Sequence, residues 1–89
     1  MKAAEGFILR NLVGEYVLMP VNENIAKFNG TVLMNEIAAF VWEKLQTSVS
    51  REELLAAILD EYETDSVTAA KDLDELLARL KELDIIIDD

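Results

Sequence analysis

The carboxylates are the residues of this sequence whose type and spacing could do chemistry. Acids are dense in two stretches, Asp60 to Asp65 and Asp72 to Glu75. A carboxylate pair can act as general acid and base when a pocket drives the two pKa values apart. A run of acids can bind calcium, but the ligand spacing and turn glycine of an EF-hand loop are both missing here. Nothing marks a pocket either, so we expect solvated acids, with no catalytic residue and no metal site.

The composition excludes most other kinds of catalysis. The 89 residues contain no His and no Cys, which leaves no imidazole base, thiolate nucleophile, disulfide or cysteine zinc site. The three glycines form no phosphate-binding loop, and no histidine is present to activate a serine. We therefore expect a protein that is not an enzyme and that needs no cofactor.

The charge is unevenly distributed along the chain. Of the 18 acids and 8 bases, three of each lie in residues 1 to 30, so the whole net charge of −10 lies in residues 31 to 89. Nucleic-acid binding needs clustered Lys and Arg and is not expected. No apolar stretch is long enough for a membrane span or a signal peptide, since unbroken runs such as Ile37 to Trp42 reach only six residues. We expect a cytoplasmic protein, with which the absence of Cys agrees.

Strands are predicted in the first third of the chain. Phe7 to Arg10 and Tyr16 to Met19 are apolar runs with an Asn and a Gly between them, which predicts an antiparallel hairpin. Pro20 should end the second strand, because proline cannot donate a ladder hydrogen bond. Asn22 to Asn24 is predicted to be the next turn. A third strand is expected somewhere within Ile25 to Met34, interrupted or bulged at Asn29 and Gly30.

Three helices are predicted to follow. Their start signals are Asn35 for the first, the capping box of Ser50 and Glu53 for the second, and Asp65 or Ser66 for the third, which should end near Leu83. Helical spacing predicts these buried stripes: Ile37, Phe40, Val41 and Leu45; Leu54, Leu55, Ile58, Leu59 and Tyr62; Leu73, Leu76, Leu77, Leu80 and Leu83. Ile85 to Ile87 is expected to be a β-like segment covering the core. The prediction is one domain, residues 1–89, of the α+β class: winged-helix-like, with a three-stranded N-terminal antiparallel sheet followed by three helices.

An exposed edge of the third strand would offer unpaired backbone donors and acceptors. Such an edge is either protected or used to accept another strand. If a helix runs beside it, strand and helix make a groove for an extended peptide. The alternative is a short, bulged edge with no ligand, in which every leucine of the third helix belongs to the core.

A set of ordered motifs resembles that of PqqD-like proteins. The matching segments are Gly14-Glu15-Tyr16-Val17, Phe28-Asn29-Gly30, Leu33 to Trp42, Glu53-Leu54, Glu61-Tyr62, and Asp72-Leu73 with Leu76-Leu77 and Leu80. There are two departures from the usual pattern. Met34 stands between the leucine and the asparagine of the first-helix motif. Asp84 stands where a glycine commonly ends the third helix, although Asp tolerates the left-handed conformation better than most residues.

The resemblance implies a non-catalytic adaptor. PqqD-like domains bind the leader of a ribosomally made precursor peptide and present it to a modifying enzyme, often a radical SAM enzyme. The leader joins the third strand as an added antiparallel strand and lies toward the third helix. Carried onto this sequence, the resemblance implies these peptide-binding residues: Phe28, Gly30, Thr31, Val32 and Leu33 on the strand, and Asp72, Leu73, Leu76, Arg79 and Leu80 on the helix.

Alternatives remain for both the residues and the function. The pattern favours the core over peptide contact for Leu73 and Leu80, whereas Leu76 fits either role, and Asp72 could instead pair with Lys71 or Lys2. A winged-helix nucleic-acid protein would share the architecture but would need a basic recognition helix. A dimeric structural or regulatory protein without a peptide ligand would use the exposed edge to pair with its own copy.

Overall fold

The computed structural model describes residues 1–27 and 30–88. In chain order the elements are β1 (Lys2–Ala3), β2 (Phe7–Leu12), β3 (Glu15–Pro20), α1 (Asn24–Lys27), β4 (Val32–Met34), α2 (Glu36–Lys44), α3 (Arg51–Glu61), α4 (Ser66–Glu82) and β5 (Ile86–Ile87). A three-stranded antiparallel sheet, β2-β3-β4, therefore precedes three long helices. The predicted α+β class is confirmed, while the winged-helix-like label stays a prediction.

The hairpin of β2 and β3 is tighter than predicted. Leu12 pairs with Glu15, so the connection consists of Val13 and Gly14 alone. Both have positive φ, 51° and 83° respectively. Two consecutive left-handed residues match the right-handed twist of the flanking strands, and Gly14 adopts this conformation without steric cost. The strands are consequently longer than the two apolar runs indicated.

The segment between β3 and β4 differs most from the prediction. Asn24, expected in a turn, begins the four-residue helix α1. Its side-chain amide donates to the carbonyls of Glu5 (3.0 Å) and Gly6 (3.2 Å), which ties this segment to the residues before β2. The third strand falls within the predicted range but spans only Val32–Met34. The bulge predicted at Asn29 lies outside the described residues.

The three predicted helix starts are confirmed by their capping bonds. The Asn35 side chain accepts a hydrogen bond from the Ala38 N–H at 2.8 Å. Ser50 and Glu53 make both bonds of the capping box, at 3.0 and 2.9 Å. Asp65 caps α4 by accepting from the Thr68 N–H at 2.8 Å. The hydrogen bonds that the Thr68 N–H and hydroxyl donate to Asp65 lower the pKa of the Asp65 carboxyl, because its charged form is the better acceptor.

The end of α4 keeps a left-handed cap without glycine. Asp84 has φ 56°. Its N–H donates to the Lys81 carbonyl (3.1 Å), and the Ile85 N–H donates to the Leu80 carbonyl (2.9 Å). This pair of bonds is a Schellman motif, so aspartate fulfils the role for which glycine is the usual residue.

The two ends of the chain meet beside the helices. β1, which was not predicted, pairs with β5 in an antiparallel two-stranded sheet. The Ala3 N–H donates to the Leu45 carbonyl, and the Ala4 N–H donates to the Ile85 carbonyl. The segment Ile85 to Ile87 therefore covers the core, as expected, but it does so with a partner strand.

The core lies between the inner face of the sheet and the three long helices. Its most deeply buried side chains are Leu18, Val41, Leu45, Leu54, Ile58, Leu73, Leu80 and Ile85. The helical stripes are confirmed in their centres, whereas their flanks are more open. Ile37, Leu55 and Leu76 are half-buried, and Leu59 is exposed. Trp42, one position off its predicted stripe, is buried in the core.

Candidate functional site

β4 is an edge strand of the sheet, because β3 is its only partner among the described strands. Val32 and Met34 point into the core, at 3% and 7% exposure, and Leu33 between them is 65% exposed. The alternation is that of a strand with one buried face. Along an edge strand, alternate residues direct their N–H and C=O groups away from the sheet, where another strand can pair with them.

A small cavity lies between the residues that follow β4 and the helix α4. Its volume is about 100 Å³. Asn35, Ile37 and Ala38 at the start of α2 form one wall, and Asp72, Leu73 and Leu76 of α4 form another. Val41, Ile58, Thr64 and Ala69 complete the lining, which is largely apolar. We call this cavity the α2–α4 pocket.

Asp72 is the charged residue in the lining of the α2–α4 pocket. Its side chain is exposed and makes no ion pair or side-chain hydrogen bond with the described residues, Lys71 and Lys2 included. The pairing considered as an alternative is thus not formed. Asp72 offers a free carboxylate beside an apolar pocket, an arrangement that suits a peptide with one apolar and one basic side chain.

A neighbouring acid on the same helix is fully paired. The guanidinium of Arg51 on α3 donates to both carboxylate oxygens of Asp74, at 2.7 and 3.0 Å. This bidentate bond lowers the pKa of Asp74 and raises that of Arg51, because each charge stabilises the other. It ties α4 to α3 and so fixes the helical wall of the pocket.

A second, wider concavity shares Asn35 with the α2–α4 pocket and lies at the end of β4 beside the hairpin turn. It measures about 550 Å³ and is lined by Gly14, Glu15, Tyr16, Leu33, Met34, Asn35 and Glu36. Asn35 lines both recesses, the narrow α2–α4 pocket and this open concavity. Both contain carboxylates, and none of the described residues that line them is basic.

An aromatic cluster lies near the open concavity. The rings of Phe40 and Tyr62 meet edge to face, with centroids 5.4 Å apart, and the Lys44 ammonium lies 5.2 Å from the Phe40 centroid. Burial, together with the nearby Glu36 carboxylate, raises the pKa of the Tyr62 hydroxyl. The cluster joins the end of α3 to α2.

The structure separates the predicted peptide-binding residues into three groups. Gly30, Thr31, Leu33, Asp72 and Arg79 are exposed, and Leu76 is half-buried in the pocket wall. Three are core residues, whose side chains offer almost no free surface: Val32, Leu73 and Leu80. Phe28 lies outside the described residues. The pocket brings together Asp72, Leu73 and Leu76, whereas Arg79 and Leu80 do not line it.

Seven of the ten residues that line the pocket were not predicted as site residues from the sequence, among them Asn35 and Ile37 of the α2 wall. Each of these two had a sufficient local explanation, Asn35 as a helix cap and Ile37 as part of a buried stripe. A signal was nevertheless present, because both lie in the segment from Leu33 to Trp42 that carries the family resemblance.

Metal-binding groups and membrane-spanning helices are both absent from the described residues. These residues contain no group of three or more His, Cys, Asp or Glu side chains arranged to hold a metal ion. None of the helices in this part of the chain has the length and hydropathy needed to cross a membrane.

Comparison with known proteins extends these observations. The model of the family described as coenzyme PQQ synthesis protein D (PqqD) matches residues 15–86. No curated protein matches the chain. One similar solved structure is TbiB1 in complex with the TbiA(beta) leader peptide; its identity is 22%, its TM-score is 0.74, and 99% of this chain and 100% of that chain are covered.

A second similar structure is lasso peptide synthetase B1 complexed with the leader peptide. Its identity is 20% and its TM-score 0.67, over 91% of this chain and 89% of that chain. At these identities the two structures confirm the fold. The family match covers most of the chain, including β4, the pocket and α4, and the chain therefore belongs to the PqqD family.

Proposed function

We propose that this chain is a non-catalytic adaptor. It binds the leader of a ribosomally synthesised precursor peptide and presents the remainder to a modifying enzyme. One observation carries the proposal: an unpaired strand edge, β4, ends beside an apolar pocket with a free carboxylate at its rim. Family membership and the two similar structures, both complexes with leader peptides, support it.

The proposed mechanism is addition of a strand. The leader pairs antiparallel with residues 30–34 and gains main-chain hydrogen bonds, which do not depend on its sequence. Its side chains alternate between the two faces of the widened sheet. One face meets the helices, and the other lies beside the exposed Leu33 side chain. Val32 contributes its backbone alone, because its side chain is in the core.

Selectivity comes from the pocket and its rim. A dry cavity of about 150 Å³ can hold benzene. The α2–α4 pocket, at about 100 Å³, is smaller and fits one aliphatic side chain better than an aromatic ring. Asp72 then pairs with a basic leader residue next to that anchor. Such an exposed pair adds at most about 1 kcal/mol, so the apolar anchor supplies the larger share of the affinity.

The other predicted residues take lesser parts in this proposal. Arg79, exposed on α4 and without an ion pair among the described residues, is available to an acidic leader residue. Leu73 and Leu80 hold α4 in place from the core and contact the leader indirectly at most. Phe28 stays a predicted contact.

The modifying enzyme is the second partner. The family resemblance favours a radical SAM enzyme, whereas one of the similar structures is named as a lasso peptide synthetase component. We favour the radical SAM class. Identifying the modifying enzyme that is encoded with the precursor peptide tests this assignment. In this proposal the adaptor is a single domain spanning residues 1–89 and needs no cofactor of its own. It acts in the cytoplasm, where precursor peptides are made.

The proposal is tested by amide NMR of labelled protein during addition of the leader peptide encoded nearest to this chain. We expect shifts in residues 30–34 and in Asp72 to Arg79, together with slower hydrogen exchange of the β4 amides. A peptide of the same composition in scrambled order is the matched control. Equal shifts with both peptides, or shifts confined to other elements, contradict strand addition. Light scattering on the same samples detects the alternative, a dimer joined through the β4 edge.

A further inference from the structure

The outer face of the three-stranded sheet is largely apolar, and among its described residues Val17 alone is buried, at 8% exposure. Cross-strand pairing places Ile8 opposite Met19, and Arg10, Val17 and Leu33 in one row. The inner face carries the Leu9, Leu18 and Val32 row instead. An antiparallel sheet with one face in water normally alternates apolar and polar residues. Here the alternation is absent. We call Ile8, Arg10, Leu12, Glu15, Val17, Met19 and Leu33 the outer sheet face, in which the exposed Glu15, opposite Leu12, is the acidic residue.

Apart from Val17, the residues of this face are partly or fully exposed to solvent. Leu12 is 51% exposed and Leu33 65% exposed, while Ile8 and Met19 are half-buried. A shallow concavity of about 380 Å³ runs across it, lined by Ile8, Arg10, Leu12, Met19, Pro20 and Val21. At its end the hairpin turn holds Val13 fully exposed with φ 51°. A β-branched residue seldom adopts that conformation, and such strain persists mainly at functional positions.

One cation, Arg10, lies on the outer sheet face in β2, an edge strand of the described sheet. Arg10 is exposed and has no ion-pair or side-chain hydrogen-bond partner among the described residues. Its row neighbours, Val17 and Leu33, are both apolar. A guanidinium in an apolar setting matches a partner surface that is apolar and brings one carboxylate.

A second copy of the chain fits this face poorly. The strands are spaced about 4.8 Å apart; β2 and β3 have six residues each and β4 has three, so the sheet covers at most roughly 15 by 20 Å, or about 300 Å². A standard interface buries about 800 Å² on each partner. Each copy also carries a net charge of −10, so two copies repel one another. The occupant must therefore reach beyond the outer sheet face.

The proposed leader strand extends the face in the right direction. Leu33 belongs both to the outer sheet face and to the open edge of β4. A leader paired with that edge adds one strand, whose alternate side chains continue the outer sheet face. We propose that the outer sheet face docks the modifying enzyme, through an enzyme surface that is apolar and directs a carboxylate at Arg10. This inference rests on the proposed function.

Binding of leader and enzyme is then coupled. The enzyme contacts the sheet together with the added strand, so the leader-bound adaptor binds the enzyme more tightly than the free adaptor does. Thermodynamic linkage requires that the enzyme strengthen leader binding by the same factor. The adaptor thereby delivers precursor-loaded copies to the enzyme in preference to empty ones.

The test measures binding of the full chain to the immobilised modifying enzyme encoded with the precursor, with and without leader. Leu12→Lys and Arg10→Glu are expected to weaken enzyme binding at least tenfold while leaving the leader Kd unchanged. Val67→Lys is the matched control, since Val67 is a 78% exposed apolar residue at the start of α4. It should bind the enzyme like wild type. Circular dichroism confirms that each variant is folded.

Several outcomes overturn the proposal. The proposal is wrong if Leu12→Lys and Arg10→Glu both bind the enzyme as tightly as wild type does, or if the wild type does not bind the enzyme. It is also wrong if Val67→Lys loses as much affinity for the enzyme as the two outer-face variants do. A wild-type dimer in light scattering that Leu12→Lys converts to monomer also overturns it, because a second copy then covers the face. If the wild type binds the enzyme through this face but binds no leader, the docking site stands and the proposed function falls.

Discussion

On the inner face of α4, Leu73, Leu77 and Leu80 are at most 5% exposed, whereas Leu76 on the same helix is half-buried in the wall of the α2–α4 pocket. All four are leucines of one helical stripe, so residue type does not separate them. The difference lies in what faces each side chain. Leu73, Leu77 and Leu80 are covered by the interior, although Leu73 also lines the pocket, and Leu76 is left half-covered in the pocket wall.

The comparison assigns separate roles to the two sides of one helix. Side chains that are fully buried contribute to stability, in proportion to the apolar area removed from water. A side chain left half-covered in the pocket wall keeps apolar area that a ligand can still bury. We expect substitutions on the inner side to affect folding, and substitutions on the pocket side to affect leader binding.

The largest effect is expected from Leu80→Ala. Leu80 is fully buried, so the truncation leaves a cavity and should lower the free energy of unfolding by about 2–5 kcal/mol. Urea unfolding followed by circular dichroism measures the change. At temperatures where the variant is folded, its leader affinity should remain near that of wild type. A loss of stability under about 1 kcal/mol would contradict the placement of Leu80 in the core.

Leu76→Ala should show the reverse behaviour. It removes the apolar side chain that lines the α2–α4 pocket, and about 0.8 kcal/mol per buried methylene predicts roughly a tenfold or greater loss of leader affinity. Stability should fall by less than in Leu80→Ala. Leu55→Ala is the matched control, because Leu55 is also half-buried but lies on α3 and outside the pocket. Equal losses of affinity in both variants would remove the pocket from the binding site. Isothermal titration calorimetry measures the leader Kd of both variants.

Local signals made much of the fold predictable. The caps at Asn35, Ser50 and Asp65 are short side-chain-to-backbone bonds whose partners lie three residues away. The left-handed residue Asp84 could likewise be inferred from its place at the end of a leucine stripe. β1 could not, because its two residues form a strand only by pairing with Ile86 and Ile87 at the other end of the chain. α1 was missed because four residues carry too short a pattern.

The candidate site was predictable only through the family resemblance. Periodicity places Leu73, Leu76 and Leu80 in one stripe and cannot say which of them faces a pocket. That distinction depends on β4 stopping after three residues, with no further strand beside it. The outer sheet face was visible in the sequence as unbroken apolar runs at Phe7 to Leu9 and Tyr16 to Met19. It was explained as strand propensity, which accounts for the strands but not for an apolar outer face.

A smaller effect is expected from the free acid of α4. Asp72→Asn removes the rim carboxylate without changing its size, and should weaken binding of a leader with a basic residue about two- to fivefold, the range of an exposed ion pair. The loss should shrink as salt is raised, because salt screens the pair. Asp60→Asn, another exposed acid without an ion-pair partner, is the control for net charge. If both variants lose affinity equally, the overall field of the chain matters rather than the rim contact.

The smallest effect separates the two neighbouring acids of α4 by pH. Arg51 lowers the pKa of Asp74 in the folded chain from its ordinary value of 3.8, so the pair stabilises the fold above that pH and loses its effect as pH falls through the lowered folded pKa. Asp74→Asn should therefore reduce the Tm by a few °C at pH 7, as is typical of an exposed pair in a small domain, and the difference from wild type should shrink only below pH 3.8 and vanish once the pH has passed the lowered folded pKa. Asp72→Asn, which breaks no pair, should leave the Tm at pH 7 nearly unchanged. A Tm loss at pH 7 that is the same for both variants would mean that the paired and the free acid of α4 are not distinct, and the role of Asp72 at the pocket rim would lose its basis.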